Sequence, residues 1–293
     1  MKMKQKMKFA LPALVGALLA AATNADAHEH LEAGANATSP GSPLIFVNAG
    51  DYDTNSGYVF GLDAGDPGSP YEGYFFTGDL VFAALAATPA YGGPETNAAA
   101  LGSHIEIVLE TVEGPTGANV GFWETQAAGV DSTNLTWTVA VGLTNGTNHI
   151  VVSETDGSPT ADPYGHLHGR IYTVDQPGLY RVGFRYVDTS TNGPGGGPIQ
   201  TPSDRFYLNW QADVTISGIL AATNQIDLTF AAPSHLPDTG TAPATNYQIE
   251  SSPTLGLSAN WKPATDVVVG DDHMHTISLP QTNASSFYRL NTY

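Results

Sequence analysis

The stretch Leu179-Tyr180-Arg181-Val182-Gly183-Phe184-Arg185-Tyr186-Val187 carries large apolar residues at every second position and arginines between them. A period of two belongs to a strand with one buried face, because successive side chains on extended backbone point to opposite sides. Tyr180, Val182, Phe184 and Tyr186 are therefore expected in a core, with Arg181 and Arg185 outside it. His104-Ile105-Glu106-Ile107-Val108-Leu109-Glu110 alternates in the same way and sends Ile105, Ile107 and Leu109 inward. Segments 136–140 and 149–153 behave similarly. The whole chain reads as β: 32 glycines and 20 prolines punctuate short runs rich in Val, Ile, Thr, Tyr and Phe, and no amphipathic helix of convincing length interrupts them.

Immediately before that strand, Asp175-Gln176-Pro177-Gly178-Leu179-Tyr180 resembles the tyrosine corner of Greek-key sandwiches, in which a Tyr at the start of a strand hydrogen-bonds back to the preceding loop. That favours a sandwich over a barrel. The Gly- and Pro-rich segment 192–198 is a loop inside the first domain, since Arg205-Phe206-Tyr207-Leu208-Asn209-Trp210 still reads as a closing strand. A second unit begins near Gly218, with strand-like runs at 226–230, 247–252, 267–269, 276–279 and 287–290. Within it, Tyr247-Gln248-Ile249-Glu250-Ser251-Ser252, Leu255, Asn260-Trp261 and Phe287-Tyr288-Arg289-Leu290 resemble a fibronectin-III-like terminal module of exported bacterial proteins, which implies a spacer or attachment role. The expected architecture is all-β, with a Greek-key β-sandwich over 28–215 followed by a smaller immunoglobulin- or fibronectin-III-like β-sandwich over 219–293. Trp123, Trp137, Trp210 and Trp261 fall in strand-like runs and are expected to pack in cores.

The first 27 residues read as a signal peptide. Met1 to Lys8 carries four lysines, Phe9 to Ala22 is apolar but short for a bilayer, and Ala25-Asp26-Ala27 supplies small residues at −3 and −1. Export to the periplasm, the cell surface or the medium follows. The chain closes at Tyr293 without a hydrophobic helix and basic tail, so no membrane anchor or span is expected after cleavage. Cleavage after Ala27 leaves six basic and 27 acidic residues, a net charge of −21. Nucleic acid is excluded as a partner, because neutralising phosphates requires a basic face. Such a surface attracts cations instead.

The chemistry-bearing residues are histidines. Gly165-His166-Leu167-His168-Gly169 places two imidazoles at i and i+2, on one face of extended backbone, where they can share an ion. His28-Glu29-His30 repeats the spacing, and cleavage after Ala27 would leave His28 with a free α-amine, a bidentate chelator suited to copper(II) and also to zinc(II). There is no cysteine, so any ion must be held by nitrogen and oxygen. Zinc wants about four ligands. His166 and His168 supply two, and His104 or the His28/His30 pair could complete the set. Glu106 and Glu124 are candidate carboxylate ligands or partners that fix an imidazole tautomer. Three other features point elsewhere. The stretch 51–57 lacks the glycine and glutamate positions of a calcium loop and reads as a turn. Asp271-Asp272-His273-Met274-His275 is expected at a solvated hairpin tip, and His149 and His235 are isolated and read as structural.

His28-Glu29-His30-Leu31-Glu32-Ala33-Gly34-Ala35, Gly102-Ser103-His104-Ile105-Glu106, Gly121-Phe122-Trp123-Glu124, Gly165-His166-Leu167-His168 and Pro177-Gly178-Leu179-Tyr180 resemble a family of bacterial exported surface proteins linked to zinc limitation, of the choice-of-anchor or PEP-CTERM kind. The resemblance implies an all-β exported domain that handles zinc, with a cell-surface or metal-transport component as partner. Two other readings stay open. One is a copper histidine brace, built on His28 and His104, acting oxidatively on polysaccharide. The other is a structural surface or matrix protein in which the histidines bind nothing specific. No Gly-x-Ser-x-Gly elbow or phosphate loop is present to support hydrolase or nucleotide chemistry. Intact-mass measurement of the exported protein is expected to give a chain starting at His28. A start after His30 would remove the amine-imidazole chelator.

Overall fold

The computed structural model of the protein describes residues 29–124, 135–166, 168–234, 246–281 and 286–292. The expected signal peptide, His28 and His235 lie outside them. In chain order the first part of the molecule carries β1 (Glu29–Ala35), β2 (Leu44–Phe46), β3 (Val59–Ala64), β4 (Phe75–Thr77), β5 (Leu80–Ala84), β6 (Ile105–Glu113), β7 (Asn119–Trp123), β8 (Trp137–Ala140), β9 (Asn148–Val151), β10 (Gly165–His166), β11 (Ile171–Val174), β12 (Gly178–Asp188) and β13 (Phe206–Ala212). A nine-stranded sheet runs in the order β8-β7-β11-β4-β3-β13-β12-β6-β9, and a four-stranded sheet in the order β10-β5-β1-β2. Spatial neighbours such as β12 and β6, or β3 and β13, are far apart in sequence, so the connections cross over as in Greek-key sandwiches. This is an all-β sandwich.

The alternation in the sequence is what closes it. Tyr180, Val182, Phe184 and Tyr186 are all fully buried, as are Ile105, Ile107 and Leu109 on β6, while Arg181 and Arg185 lie on the outer face. Leu31 and Ala33 from β1 and Leu80 and Phe82 from β5 complete the same core from the smaller sheet. Phe82 packs on Phe184 with ring centroids 5.2 Å apart, and the Tyr186 hydroxyl donates to the Leu31 carbonyl at 2.9 Å, tying the two layers together. Trp123 and Trp210 are buried in this unit. Trp261 is not in the core of its own unit and instead lies under the Arg289 guanidinium.

The second part comprises β14 (Ile216–Ala222), β15 (Gln225–Ala232), β16 (Asn246–Ser252), β17 (Lys262–Pro263), β18 (Val268–Val269), β19 (His273–Pro280) and β20 (Phe287–Thr292). Sheets β14-β15-β19 and β17-β16-β18, with β20 on β16, enclose a separate small core of Leu228, Phe230, Ala232, Tyr247, Ile249 and Leu279. Val214 and Ile216 already pack against that core, so the second unit starts a few residues before the expected boundary at Ile219. His273 to His275 open strand β19 instead of forming a solvated tip. The turn falls one residue earlier, at Asp272, whose φ is +60°. Two backbone bonds join this turn and the start of β19 to the first sandwich: Val59 N–H to Asp272 O at 2.7 Å, and Met274 N–H to Gly57 O at 3.1 Å. Among the described residues no helix is long and apolar enough to cross a membrane.

The tyrosine corner is formed. The Tyr180 hydroxyl donates to the Gln176 carbonyl at 2.7 Å, anchoring the loop before β12. Burial, reinforced by the negative charge of Asp175, pushes the phenol up to about 12. Its folded-state value thus lies above the unfolded value of about 10. The protonated phenol therefore stabilises the fold below pH ~10, and this contribution is lost as pH rises through about 12. Tyr180→Phe is expected to cost about 1 kcal/mol in urea denaturation at neutral pH, from the lost hydrogen bond. The variant should also lose less stability than the parent between pH 10 and 12. Equal stability and an unchanged alkaline profile would mean the corner does not hold this loop.

Candidate metal centre

Three strands of the smaller sheet build the site. On β1, Leu31 and Ala33 face the core, which turns His30 and Glu32 outward. On β5, Leu80 and Phe82 are inward, which turns Val81 and Ala83 outward. The parallel pairing of β1 with β5 sets His30 opposite Val81 and Glu32 opposite Ala83, and the antiparallel pairing of β10 with β5 sets His166 opposite Ala83. His30 and His166 therefore flank β5 on one face. Strands separated by one neighbour lie roughly 9.5 Å apart. Two imidazoles close that gap only over short side chains, and Ala83 supplies one.

The Nε2 atoms of His30 and His166 are 2.7 Å apart, with ring centroids at 4.3 Å and ring planes nearly perpendicular. The His168 ring lies 4.2 Å from His166 and 6.3 Å from His30, centroid to centroid. One ligating nitrogen from each of the three comes within 4.8 Å of the other two. His30 and His166 are half-buried and His168 is exposed, so an ion would reach the group from solvent. Tetrahedral zinc at about 2.0 to 2.1 Å from each nitrogen holds nitrogens roughly 3.3 Å apart, so the two Nε2 atoms need to separate by only about 0.6 Å. With these atoms in contact, one of them carries the shared proton. For both to bind a metal, each ring must hold its proton on Nδ1.

The backbone around the histidines is pinned. Asn48 spans β1 like a peptide group, its amide donating to the His30 carbonyl at 2.8 Å and its carbonyl accepting the Glu32 N–H at 3.0 Å. Glu154 accepts the His166 N–H at 2.8 Å. Both glycines of the Gly165–Gly169 stretch are required. A Cβ on Gly165 would lie 1.7 Å from the Val152 carbonyl oxygen, and Gly169 has φ of +79°, in the left-handed region, as the chain turns away toward Arg170. Burial holds the Glu32 carboxyl above its usual range, and the charges of Glu95 and Asp51 push it the same way.

Of the histidines singled out in the sequence, the structure brings His30, His166 and His168 together. His28 lies outside the described residues. His104 is not in the group: it precedes β6, where its N–H donates to Asp188, and its Nε2 is 3.9 Å from Glu106. Glu106 instead accepts from His149 Nδ1 at 2.7 Å, and Glu124 pairs with Arg170 at 3.1 Å. His275 Nε2 is 2.9 Å from Asp271 and its ring stacks on Phe230. Neither Asn48 nor Ala83 carries a sequence signal of its own. They become visible only through the pairing register.

Three neutral imidazoles without a thiolate suit zinc, copper(II), nickel and cobalt and disfavour calcium and magnesium, which prefer oxygen. No model of a known protein family matches the chain, and no curated protein matches it either. If the imidazoles meet over Ala83, then Ala83→Leu places a branched side chain beneath them. Zinc affinity measured by calorimetry is expected to fall at least about tenfold, or roughly 1.4 kcal/mol, with little change in the melting temperature of the metal-free protein. Unchanged affinity would refute the bridging geometry.

Proposed function

We propose that this chain is an exported, non-catalytic zinc-binding protein that uses His30, His166 and His168 to sequester or deliver the ion. The observation that carries this reading is the convergence of three imidazole nitrogens within 4.8 Å on an exposed sheet face. Two of them come from strands that touch only through a third, so the arrangement is a product of the whole fold. The strongly acidic chain raises the local concentration of cations around such a site. The resemblance of the first domain to exported proteins linked to zinc limitation points the same way, and a cell-surface or metal-transport component is the partner such a role calls for.

Calorimetric titration of the untagged mature protein tests it. Zinc is expected to bind at one site and to outcompete calcium and magnesium. His166→Ala and His168→Ala should each weaken zinc at least about tenfold, roughly 1.4 kcal/mol, and should reduce the zinc-dependent rise in melting temperature in step. His149→Ala should change neither. Ligating imidazoles must be neutral, so affinity should decline as pH falls through about 6.5. Zinc binding that survives both single substitutions would remove the site from these residues.

A further inference from the structure

Seven of the ten large apolar side chains left exposed among the described residues belong to the second unit, although it is the smaller of the two. Ile219 and Leu220, 70% and 66% exposed, are neighbours on β14. That strand is the outer member of the sheet β14-β15-β19 and pairs on one side only, with β15. Ile219 is paired with Leu228, which is fully buried in the small core, so Ile219 lies on the core-facing side of the sheet and is still open to solvent. Leu220, the next residue, is open on the opposite side. β14 thus overhangs the core with neither face covered. Along its outer edge no strand lies beside it among the described residues.

Sheet edges are ordinarily blunted by charged side chains, proline or a bulge. The pairing of β14 shifts between Ile216 and Gly218, but from Gly218 to Ala222 it runs residue for residue, and residues 214–226 contain neither a charge nor a proline. A straight, apolar, uncharged edge is a template for another strand. Charge selects which one. The chain carries a net charge of −18, so two copies repel over their acidic surfaces and approach closely where neither contributes a charge. A basic partner gains more from those acidic surfaces than from this strand. Asp227 lies opposite Leu220, one strand behind the edge. In an edge-to-edge pair of copies the two Asp227 carboxylates are therefore three strand spacings apart, roughly 14 Å, beyond the Debye length of about 8 Å at physiological salt.

We propose that β14 is the surface through which two copies of this chain associate, antiparallel and edge to edge, so that two three-stranded sheets continue as one. A single strand serves both copies, as a two-fold interface requires. The pairing extends the main-chain ladder and covers Ile219 and Leu220 on either side of it. It stands independently of the metal reading, because it uses no residue of the histidine group.

Sedimentation equilibrium of the full mature chain tests it, in the presence of EDTA so that no metal bridges the copies. Wild type is expected to be a monomer–dimer mixture whose dimer tightens as salt screens the acidic surfaces. Leu220→Glu, which sets like charges against each other across the pairing, should weaken the dimer at least about tenfold. The same charge placed at another exposed apolar residue, Leu257→Glu, should leave it unchanged. The chain has no cysteine, so Leu220→Cys carries the only thiol. A short bis-maleimide should join two copies through it, and should join few through Leu257→Cys. A wild type that stays monomeric at every salt concentration would overturn the proposal. So would a dimer that Leu220→Glu leaves intact, or cross-linking as efficient through position 257 as through 220. The wild-type measurement and the thiol pair keep the outcome independent of whether the Glu variant folds.

Discussion

Strand β5 carries two jobs on its two faces, and neither can be moved without the other. Phe82 points into the sandwich, where it contacts Tyr172, Phe184 and Tyr186 of the opposing sheet. One residue to either side, Val81 and Ala83 form the floor under His30 and His166. A slip of one residue in the pairing would expose Phe82 and bury the floor, so the apolar core fixes the register and the register fixes the imidazoles. Burying Phe82 outweighs any preference of the histidines, since a large aromatic side chain contributes about 1.5 to 3 kcal/mol on burial. The geometry of the three-histidine group is therefore inherited from packing that would exist without it.

The start of β1 is held by a second set of contacts. The Tyr52 and Tyr58 hydroxyls both donate to the Glu29 carboxylate, and burial pushes both phenols above their ordinary range. Tyr58 in turn meets His273 of the second sandwich, ring centroids 6.0 Å apart, beside the two backbone bonds that join the units. A short path thus runs from the start of β19 through Tyr58 to Glu29, the residue before His30. The two sandwiches have separate cores yet share this corner.

How much of this can be read from the sequence follows from how local each cause is. β12 and β6 are legible because alternation is a property of consecutive residues, and the corner at Tyr180 is legible because donor and acceptor are four residues apart. The pairing of His166 with His168 is legible for the same reason. The third imidazole, His30, is a candidate in the sequence beside His28 and His104, but nothing local chooses among them, because the choice depends on a parallel pairing between β1 and β5. His104 stays apart because its backbone is anchored to Asp188, 84 residues away. At Asp271-Asp272-His273 the turn residues are legible, but the strand that begins at once behind them is not. Its neighbours there are Ala232 of β15 and Tyr58 of the other unit, which no short window contains.

The contact between His30 and His166 joins residues 136 positions apart. Loop closure over such a span comes late, after local hairpins and the core have formed, and chains dominated by distant pairings fold slowly. A chain still extended keeps the local pair His166 and His168 but does not bring His30 beside it. The group of three imidazoles therefore exists only in the finished domain, in whichever compartment folding is completed.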